Sequence, residues 1–246
     1  MTKFLLKYLL SVVFLLNQFN GSSSYYYDIT STTPSLLNGY TLFDFSKARH
    51  LKNWAEVSDS TCQVGQSKAV FTLHKSPTKQ RGVFFTLLTP NTRGACFAGY
   101  RTDVQFDISK YNMLVILGST HGTNNTIGSF FLHTVYKVLL QHNGLEDRLH
   151  PSYEYSFLPD SDPTPTLFQL PLDKFKPIYH GRYVSDALPL NKANITRLAI
   201  ISFGGSHEPS EDMDEIQRGV SCFEIDYIKA IHSDHLNAAL REAYLK

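Results

Sequence analysis

The stretch from Lys68 to His74 reads Lys-Ala-Val-Phe-Thr-Leu-His and alternates between apolar and polar side chains. Its apolar face carries Ala69, Phe71 and Leu73, and its polar face carries Lys68, Thr72 and His74. A period of two residues is typical of a β-strand that covers a core with one face and meets solvent with the other. This stretch therefore predicts an antiparallel sheet with one wet face.

Short apolar or alternating runs of this kind recur along the chain. They lie at residues 40–43, 69–74, 83–88, 96–102, 113–117, 130–140, 153–158, 167–172, 198–203 and 220–231. Turn-forming residues such as Pro77, Asn143-Gly144 and Gly204-Gly205 separate nearly every pair of runs. About ten short strands without alternating helices predict an all-β domain, a β-sandwich of the jelly-roll type.

Two short segments carry helix signals. Ser46 is placed to cap a helix over residues 47–53, and Ser233 or Asp234 to cap one over residues 235–245. The second helix is expected to pack on the domain. The predicted organisation is a signal peptide at 1–23, a linker at 24–39, the jelly-roll domain at 40–232 and a C-terminal helix or tail at 233–246.

Composition limits the classes of partner. The chain has 246 residues, of which 42% are hydrophobic and 18% charged, as is typical of a globular protein. The 23 Lys and Arg are balanced by 22 Asp and Glu, so no basic surplus is present to neutralise phosphates. Nucleic acid is therefore not expected as a partner. The mature chain contains no apolar run long enough to predict a transmembrane span.

The N-terminus predicts the compartment. Lys3 and Lys7 precede an apolar run at residues 8–16, which is followed by small and polar residues at 20–24. This order is typical of a secretory signal with cleavage near Ser23, whereas a mitochondrial presequence is rich in arginine, which this segment lacks. We expect a protein that is secreted or held in the lumen of the secretory pathway, with the mitochondrion as the alternative.

A lumenal location permits two modifications, glycosylation of asparagine and formation of a disulfide. Asn124 and Asn194 each begin an Asn-x-Thr glycosylation motif in turn-like sequence. Cys62, Cys96 and Cys222 are candidates for one disulfide, and the sequence leaves all three pairings open.

No motif for catalysis, metal binding or a cofactor stands out. The loop Gly204-Gly205-Ser206-His207 lacks the Gly-x-Ser-x-Gly spacing of a nucleophile elbow. The ten histidines include no His-Glu-x-x-His pair, and the carboxylates of Asp160 and Asp162 lack the glycine and distal glutamate of a calcium loop. The sequence predicts a protein that is not an enzyme and needs no cofactor or metal.

Three residues are candidates for a binding surface: Trp54, Asp59 and Arg101. Trp54 could stack on a sugar ring or a peptide side chain, although the usual burial of tryptophan favours a role in closing one end of the sandwich. Arg101 lies within a predicted strand, where a charge must face water or be paired. Pairing with Glu224 or Asp226 and contact with a ligand are both open.

Several short segments resemble the complex I intermediate-associated protein 30 family. They are Leu-Phe-Asp-Phe at 42–45, residues 54–59 followed by Gly-Gln-Ser at 65–67, Gly-Ala-Cys-Phe-Ala-Gly at 94–99, Asp-Ile-Ser-Lys-Tyr at 107–111, Leu-Pro-Leu-Asp-Lys-Phe at 170–175, and residues 219–231 with Phe-Glu-Ile-Asp-Tyr-Ile at 223–228. They occur in order over most of the predicted domain. The resemblance implies a galactose-binding-domain-like jelly roll without known catalytic residues.

The founding member of that family is a mitochondrial chaperone for assembly of respiratory complex I. This chain departs from it in its secretory-type leader and in residues 60–65, Ser-Thr-Cys-Gln-Val-Gly, which replace a double-glycine pattern. The leading hypothesis is a non-enzymatic, chaperone-like module that binds a protein or glycan partner. The alternatives are a mitochondrial complex I assembly factor and a lectin-like carbohydrate-binding domain.

Overall fold

The computed structural model describes residues 38–62, 65–90, 96–121, 134–145, 149–159, 164–204 and 217–236, without the side chains of Cys62 and His121. Two sheets made of antiparallel strand pairs face each other across one core. The all-β sandwich predicted from the alternating runs is confirmed. Within these residues, no helix combines the length and the apolar character needed to cross a membrane.

The first sheet has six strands. Numbered in chain order, they are β1 (Gly39–Asp44), β3 (Lys68–Lys75), β4 (Gln80–Leu88), β6 (Met113–His121), β9 (Thr166–Pro171) and β13 (Gly219–Ile231). The order is β3-β4-β13-β6-β9, with β1 beside the second half of β13. The long strand β13 therefore organises this sheet, because it pairs with β4, β6 and β1 along its length.

The second sheet has seven strands. They are β2 (Trp54–Ser58), β5 (Cys96–Phe106), β7 (Tyr136–His142), β8 (Ser152–Phe157), β10 (Lys176–Tyr179), β11 (Arg182–Tyr183) and β12 (Ile195–Gly204). Their order across the sheet is β11-β10-β8-β7-β12-β5-β2. Strands β5, β12 and β7 form its centre and have the longest runs of paired residues in it.

Aromatic rings from both sheets fill the core. Tyr136 of β7 stacks on Phe223 of β13 at 5.1 Å between ring centres, and Phe157 of β8 lies 5.4 Å from Phe168 of β9. Each fully buried side chain of this size contributes about 1.5–3 kcal/mol through removal from water. The alternation predicted for Lys68 to His74 is present in β3, where Phe71 is buried and its neighbours along the strand are exposed.

Some strands differ from the prediction. Strand β2 was not expected, because its Glu56 interrupts any apolar pattern, yet that carboxylate accepts hydrogen bonds from the Ala69 N–H at 3.1 Å and the Ser58 hydroxyl at 2.9 Å. Strands β10 and β11 are short and were also missed. The run predicted at residues 130–140 is a strand only over Tyr136–His142, and residues 130–133 lie outside the described chain.

The helix predicted at residues 47–53 is wrong. Ser46 lies in a turn over residues 45–47, where its N–H and its hydroxyl both donate to Asp44 Oδ1, at 3.1 and 2.5 Å. Successive turns follow instead and lead into Trp54, whose N–H donates to the Leu51 carbonyl at 2.9 Å.

The C-terminal helix is present where the structure describes it, over residues 233–236. Leu236 is buried against Val115, Leu117 and Leu167 on the outer face of the six-stranded sheet, so this end of the chain packs on the domain as expected. At the other end, β1 begins at Gly39, one residue inside the predicted linker. The predicted signal peptide lies outside the described residues.

Candidate functional site

The outer face of the seven-stranded sheet carries a line of side chains that runs across the strands. Directly opposed residues of an antiparallel ladder share a face. Tyr183 opposes Ile178, Ile178 opposes Ser152, and Arg197 opposes both Gln141 and Asp103. Continuing the β7–β8 register by one residue places Gln141 opposite Ser152. These six residues are called the polar row: Tyr183, Ile178, Ser152, Gln141, Arg197 and Asp103.

Arg197 is hydrogen-bonded to both of its neighbours in the polar row. Its Nε donates to Asp103 Oδ1 at 2.6 Å, and its Nη1 donates to Gln141 Oε1 at 3.1 Å. The carboxylate of Asp103 is largely exposed, whereas the Gln141 side chain is buried beneath the guanidinium. The guanidinium is therefore fixed in one orientation by partners on the two neighbouring strands.

A shallow cleft of about 180 Å³ opens beside Arg197. It is lined by Asp103, Gln141, Gly144, Leu145, Thr196 and Arg197. One wall is the Asn143-Gly144 turn after β7, in which both residues have positive φ, 58° and 67°. Such angles suit the Asn-Gly pair, which the sequence marked as a turn. The Gly144 N–H donates to Thr196 Oγ1 at 3.0 Å, so the turn is attached to β12.

His142 directly precedes the Asn143-Gly144 turn at the end of β7. The side chain is buried, and its Nδ1 accepts a hydrogen bond from the Asn191 N–H at 2.8 Å, so Nδ1 carries no proton. Burial, with a smaller contribution from the charge of His150, lowers the pKa of His142 below its ordinary value. Asn191 also donates from Nδ2 to Asn143 Oδ1 at 2.8 Å. A neutral histidine thus holds the segment before β12 against the turn.

A second charged pair lies on the same face, beside the polar row. Lys137 Nζ is 3.0 Å from Glu154 Oε2, and Glu154 also accepts a hydrogen bond from the Ser152 hydroxyl at 3.0 Å. The Lys137 ammonium is 4.1 Å from the centre of the Phe203 ring. Lys137 and Arg197 are both neutralised by carboxylates, and the charge of neither is available to a polyanion.

Two of the three predicted binding residues are not on this surface. Trp54 faces the core, with its ring 5.0 Å from that of Phe43 and 5.1 Å from that of Phe71, so it closes one end of the sandwich. Asp59 is buried, and its carboxylate accepts hydrogen bonds from Ser67 and from the Phe97 N–H. Trp54 therefore has the structural role that the sequence favoured, and the ligand contact predicted for Asp59 is corrected to a structural role.

Arg101 does lie on the outer face of the seven-stranded sheet. It is two residues from Asp103 along β5 and is flanked by Ala55 and Ala199 on the neighbouring strands. The suggested pairing with Glu224 or Asp226 is wrong, because these acids belong to β13 of the other sheet. There Glu224 pairs with Arg81, and Asp226 pairs with Lys79 and Arg81.

None of the three disulfide pairings that the sequence left open is formed, since each of them needs Cys96 or Cys222 and both are free thiols. Cys96 faces the core from β5, whereas Cys222 alternates with the buried Ser221 and Phe223 and so faces away from it. The Cys62 side chain lies outside the described residues. Burial raises the pKa of Cys222 to about 11.

Of the two glycosylation candidates, Asn124 lies outside the described residues. Asn194 is in the turn before β12, where its Nδ2 donates to Asn143 Oδ1 at 3.2 Å. Thr196 of the same motif lines the cleft. The motif therefore lies at the rim beside the polar row.

Sequence reasoning missed Arg197, Gln141 and Tyr183. Arg197 directly precedes the predicted strand at 198–203, where its charge, like that of Arg101, must face water or be paired. Nothing local distinguishes Gln141 or Tyr183, because strand pairing alone brings them to the row. Across the residues that the structure describes, no three His, Cys, Asp or Glu side chains converge to hold a metal ion.

Comparison with known proteins now identifies the family. The chain matches the complex I intermediate-associated protein 30 family over residues 43–214. It belongs to this family. A search of curated proteins found no match. The resemblance drawn from the short motifs is confirmed, and this member of the complex I intermediate-associated protein 30 family has the jelly-roll fold that the resemblance implied.

Carbohydrate-binding modules are among the solved structures similar to this family member. A family 11 carbohydrate-binding module from Clostridium thermocellum, in complex with a β-1,3-1,4-mixed-linked tetrasaccharide, aligns with a TM-score of 0.53 at 17% identity, covering 79% of this chain and 96% of the module. The family 11 module of the cellulosomal cellulase Lic26A-Cel5E from the same organism aligns with a TM-score of 0.52 at 16% identity, covering 80% and 95%. At these identities the likeness shows the fold, a jelly-roll sandwich of two sheets.

Proposed function

We propose that this domain binds a neutral oligosaccharide along the polar row. The observation that carries the proposal is the guanidinium of Arg197, fixed between Asp103 and Gln141 at the edge of an open cleft. A site prepared in advance binds with less loss of side-chain freedom than one that must be ordered by its ligand.

The chemistry of the polar row suits hydroxyl groups. Guanidinium, carboxylate and amide groups offer donors and acceptors in fixed planes, and each sugar hydroxyl can donate one hydrogen bond and accept others. Tyr183, whose residue surface is 55% exposed, adds an aromatic ring at the outer end of the row. An aromatic ring with a polar tip provides apolar area for the face of a sugar ring.

The dimensions and charge of the site narrow the ligand class. The row crosses six strands, and with a strand spacing of about 4.8 Å it is about 24 Å long. The charges of Arg197 and Lys137 are each neutralised by a carboxylate on the same face. A linear, uncharged oligosaccharide fits this arrangement better than a polyanion. The tetrasaccharide bound by the similar module provides a first probe.

The experiment is calorimetric titration of the full chain with a β-1,3-1,4-linked tetrasaccharide, alongside a glycan array for other neutral oligosaccharides. We expect Arg197→Ala and Tyr183→Ala each to weaken binding about tenfold, the equivalent of about 1.4 kcal/mol. Arg49→Ala and Tyr40→Ala are the matched controls, because Arg49 and Tyr40 are exposed and belong neither to the polar row nor to the lining of the cleft. Silence of all neutral glycans, or equal losses in the controls, would show that the polar row is not a saccharide site.

We also propose that the protein acts in the secretory pathway or outside the cell. The order of charged, apolar and small residues at the N-terminus and the Asn194 motif at the rim support this location. Expression of the full chain in secretory cells should yield protein that lacks residues 1–23 and carries a glycan on Asn194. Import into mitochondria without a glycan, together with loss of complex I on depletion, would favour the assembly-factor alternative instead.

A further inference from the structure

Four exposed apolar side chains lie together on the outer face of the six-stranded sheet, opposite in the molecule to the polar row. Val70 of β3 opposes Phe85 of β4, and Leu87 of β4 opposes Val220 of β13. Their exposed fractions are 54%, 42%, 43% and 59%. These four residues are called the apolar strip. They span three neighbouring strands and two rows of the sheet.

The rest of this sheet face is either covered by the C-terminal helix or occupied by paired charges. Farther along β6 and β9, Val115, Leu117 and Leu167 are buried beneath Leu236 of the C-terminal helix. Between that covered area and the apolar strip, Arg81 pairs with Glu224 on the neighbouring strand. The helix therefore covers one end of this sheet face, and charged side chains in its middle form ion pairs. The apolar strip is exposed to water.

We infer that the apolar strip binds an extended segment of a partner protein that has alternating apolar side chains and a carboxylate beside them. The exposed area of four partly covered side chains is on the order of a few hundred Å². A stable dimer buries about 800 Å² on each partner. The area is too small for a second copy of this chain to form a stable dimer, and it suits a short segment.

The spacing of the apolar strip matches an extended chain. Phe85 and Leu87 are two residues apart on β4, which places them about 6.8 Å apart along the strand. Alternate side chains of any extended segment have this same separation. A segment that lies over β4 can therefore direct successive apolar side chains at both rows, with Val70 and Val220 on its two sides.

The charges beside the apolar strip indicate at which end the carboxylate of the bound segment lies. Lys68 is exposed and opposes Leu87 at the edge of the apolar strip. It has no ion pair among the residues that the structure describes. At the other end of the strip, the charge of Arg81 is already neutralised by Glu224 and Asp226. A carboxylate on the segment would therefore be attracted to the Lys68 end.

The test uses a fluorescent synthetic peptide of alternating valine and threonine with one terminal aspartate, titrated with the full chain and followed by anisotropy. We expect saturable binding that Leu87→Glu weakens on the order of tenfold. Leu188→Glu is the matched control, because Leu188 is 78% exposed in the segment after β11, away from the strip. Lys68→Glu should weaken the aspartate peptide and strengthen a peptide that ends in lysine.

Several results would overturn the inference. They are the absence of saturable binding by the wild-type chain, equal affinity for a peptide of threonine alone, or an equal loss of binding in the Leu188→Glu control. Sedimentation that shows a dimer disrupted by Leu87→Glu would make a second copy the occupant, and binding to phosphatidylcholine vesicles that Leu87→Glu abolishes would make it a membrane. Thermal unfolding of each variant excludes loss of fold as the cause.

Discussion

The carboxylate of Asp59 accepts hydrogen bonds from both the N–H and the hydroxyl of Ser67, each at 2.8 Å. Asp59 also accepts from the Phe97 N–H at 3.3 Å, and the Ser67 hydroxyl accepts from the Thr89 N–H at 3.0 Å. This buried junction joins the end of β2 to the beginnings of β3 and β5. It therefore fixes the edges of the two sheets to each other at one rim.

Replacing Asp59 tests this junction. Asp59→Asn places an amide group where the carboxylate met three donors, so at least one buried N–H loses its acceptor. We expect the free energy of unfolding to fall by about 1–3 kcal/mol in urea denaturation. Asp186→Asn, at an exposed turn, should change it by less than about 0.5 kcal/mol. Equal effects of the two substitutions would contradict the role of Asp59.

His142 should make stability depend on pH. Burial lowers its folded-state pKa below the ordinary 6.5, so the unfolded chain binds the proton more tightly. The contribution of neutral His142 is complete above about pH 6.5 and is lost as the pH falls below it toward the folded pKa. We expect the urea midpoint to drop between about pH 7.5 and pH 5.5.

Two substitutions separate His142 from other titrating groups. His142→Asn keeps an acceptor near the Asn191 N–H but cannot titrate, so the slope with pH should flatten even though overall stability is lower. His74→Asn, on an exposed strand face, should leave the slope unchanged. A wild-type slope that persists in His142→Asn would assign the pH dependence elsewhere.

Gly99 should not tolerate a methyl group. A Cβ at this position of β5 would lie 2.3 Å from Ile201 Cγ2 and 2.5 Å from the Ile200 carbonyl oxygen, so backbone must move. We expect Gly99→Ala to lower the free energy of unfolding by about 1–3 kcal/mol. Gly144→Ala provides the comparison, because no atom lies within 4 Å and only the positive φ opposes it, at about 1 kcal/mol. Thermal or urea unfolding of both variants measures the difference.

Cys222 should react slowly despite its partial exposure. Burial raises its pKa from an ordinary 9.0 to about 11, which reduces the thiolate fraction near neutral pH about a hundredfold. Burial raises the pKa of the Cys96 thiol as well. Mass spectrometry during iodoacetamide treatment should show Cys222 alkylated slowly in the folded chain, and both cysteines alkylated once urea unfolds it, without reductant. A requirement for reductant would reveal a disulfide at one of them.

The strands could be predicted wherever one face is apolar and the other polar. Phe71 and its neighbours in β3 show this period directly, whereas β6 begins with a continuous apolar run. Strand β2 was not predicted, because Glu56 interrupts its apolar pattern. The Glu56 side chain faces inward and accepts a hydrogen bond from the Ala69 N–H, 13 residues away. The helix expected at residues 47–53 is absent, because its only local signal was Ser46, which lies in a turn and donates to Asp44.

The binding residues were harder to predict than the strands. Arg101 was found by its charge within an apolar run, and it does lie on the outer face of its sheet. Trp54 and Asp59 were chosen by residue type, but one fills the core and the other satisfies buried donors. A residue type indicates what a side chain can do, whereas its use depends on neighbours that are distant in sequence.

The amino-acid sequence by itself determined most of the strands, many of the turns between them and the family, because these depend on the pattern and order of residues close together in the chain. Which residues lie together in the polar row and in the apolar strip was decided only by the tertiary structure. Asp103 meets Arg197 across 94 residues, and Leu87 meets Val220 across the β4–β13 ladder. Strand register creates these neighbours, and register is settled by the packing of the whole core.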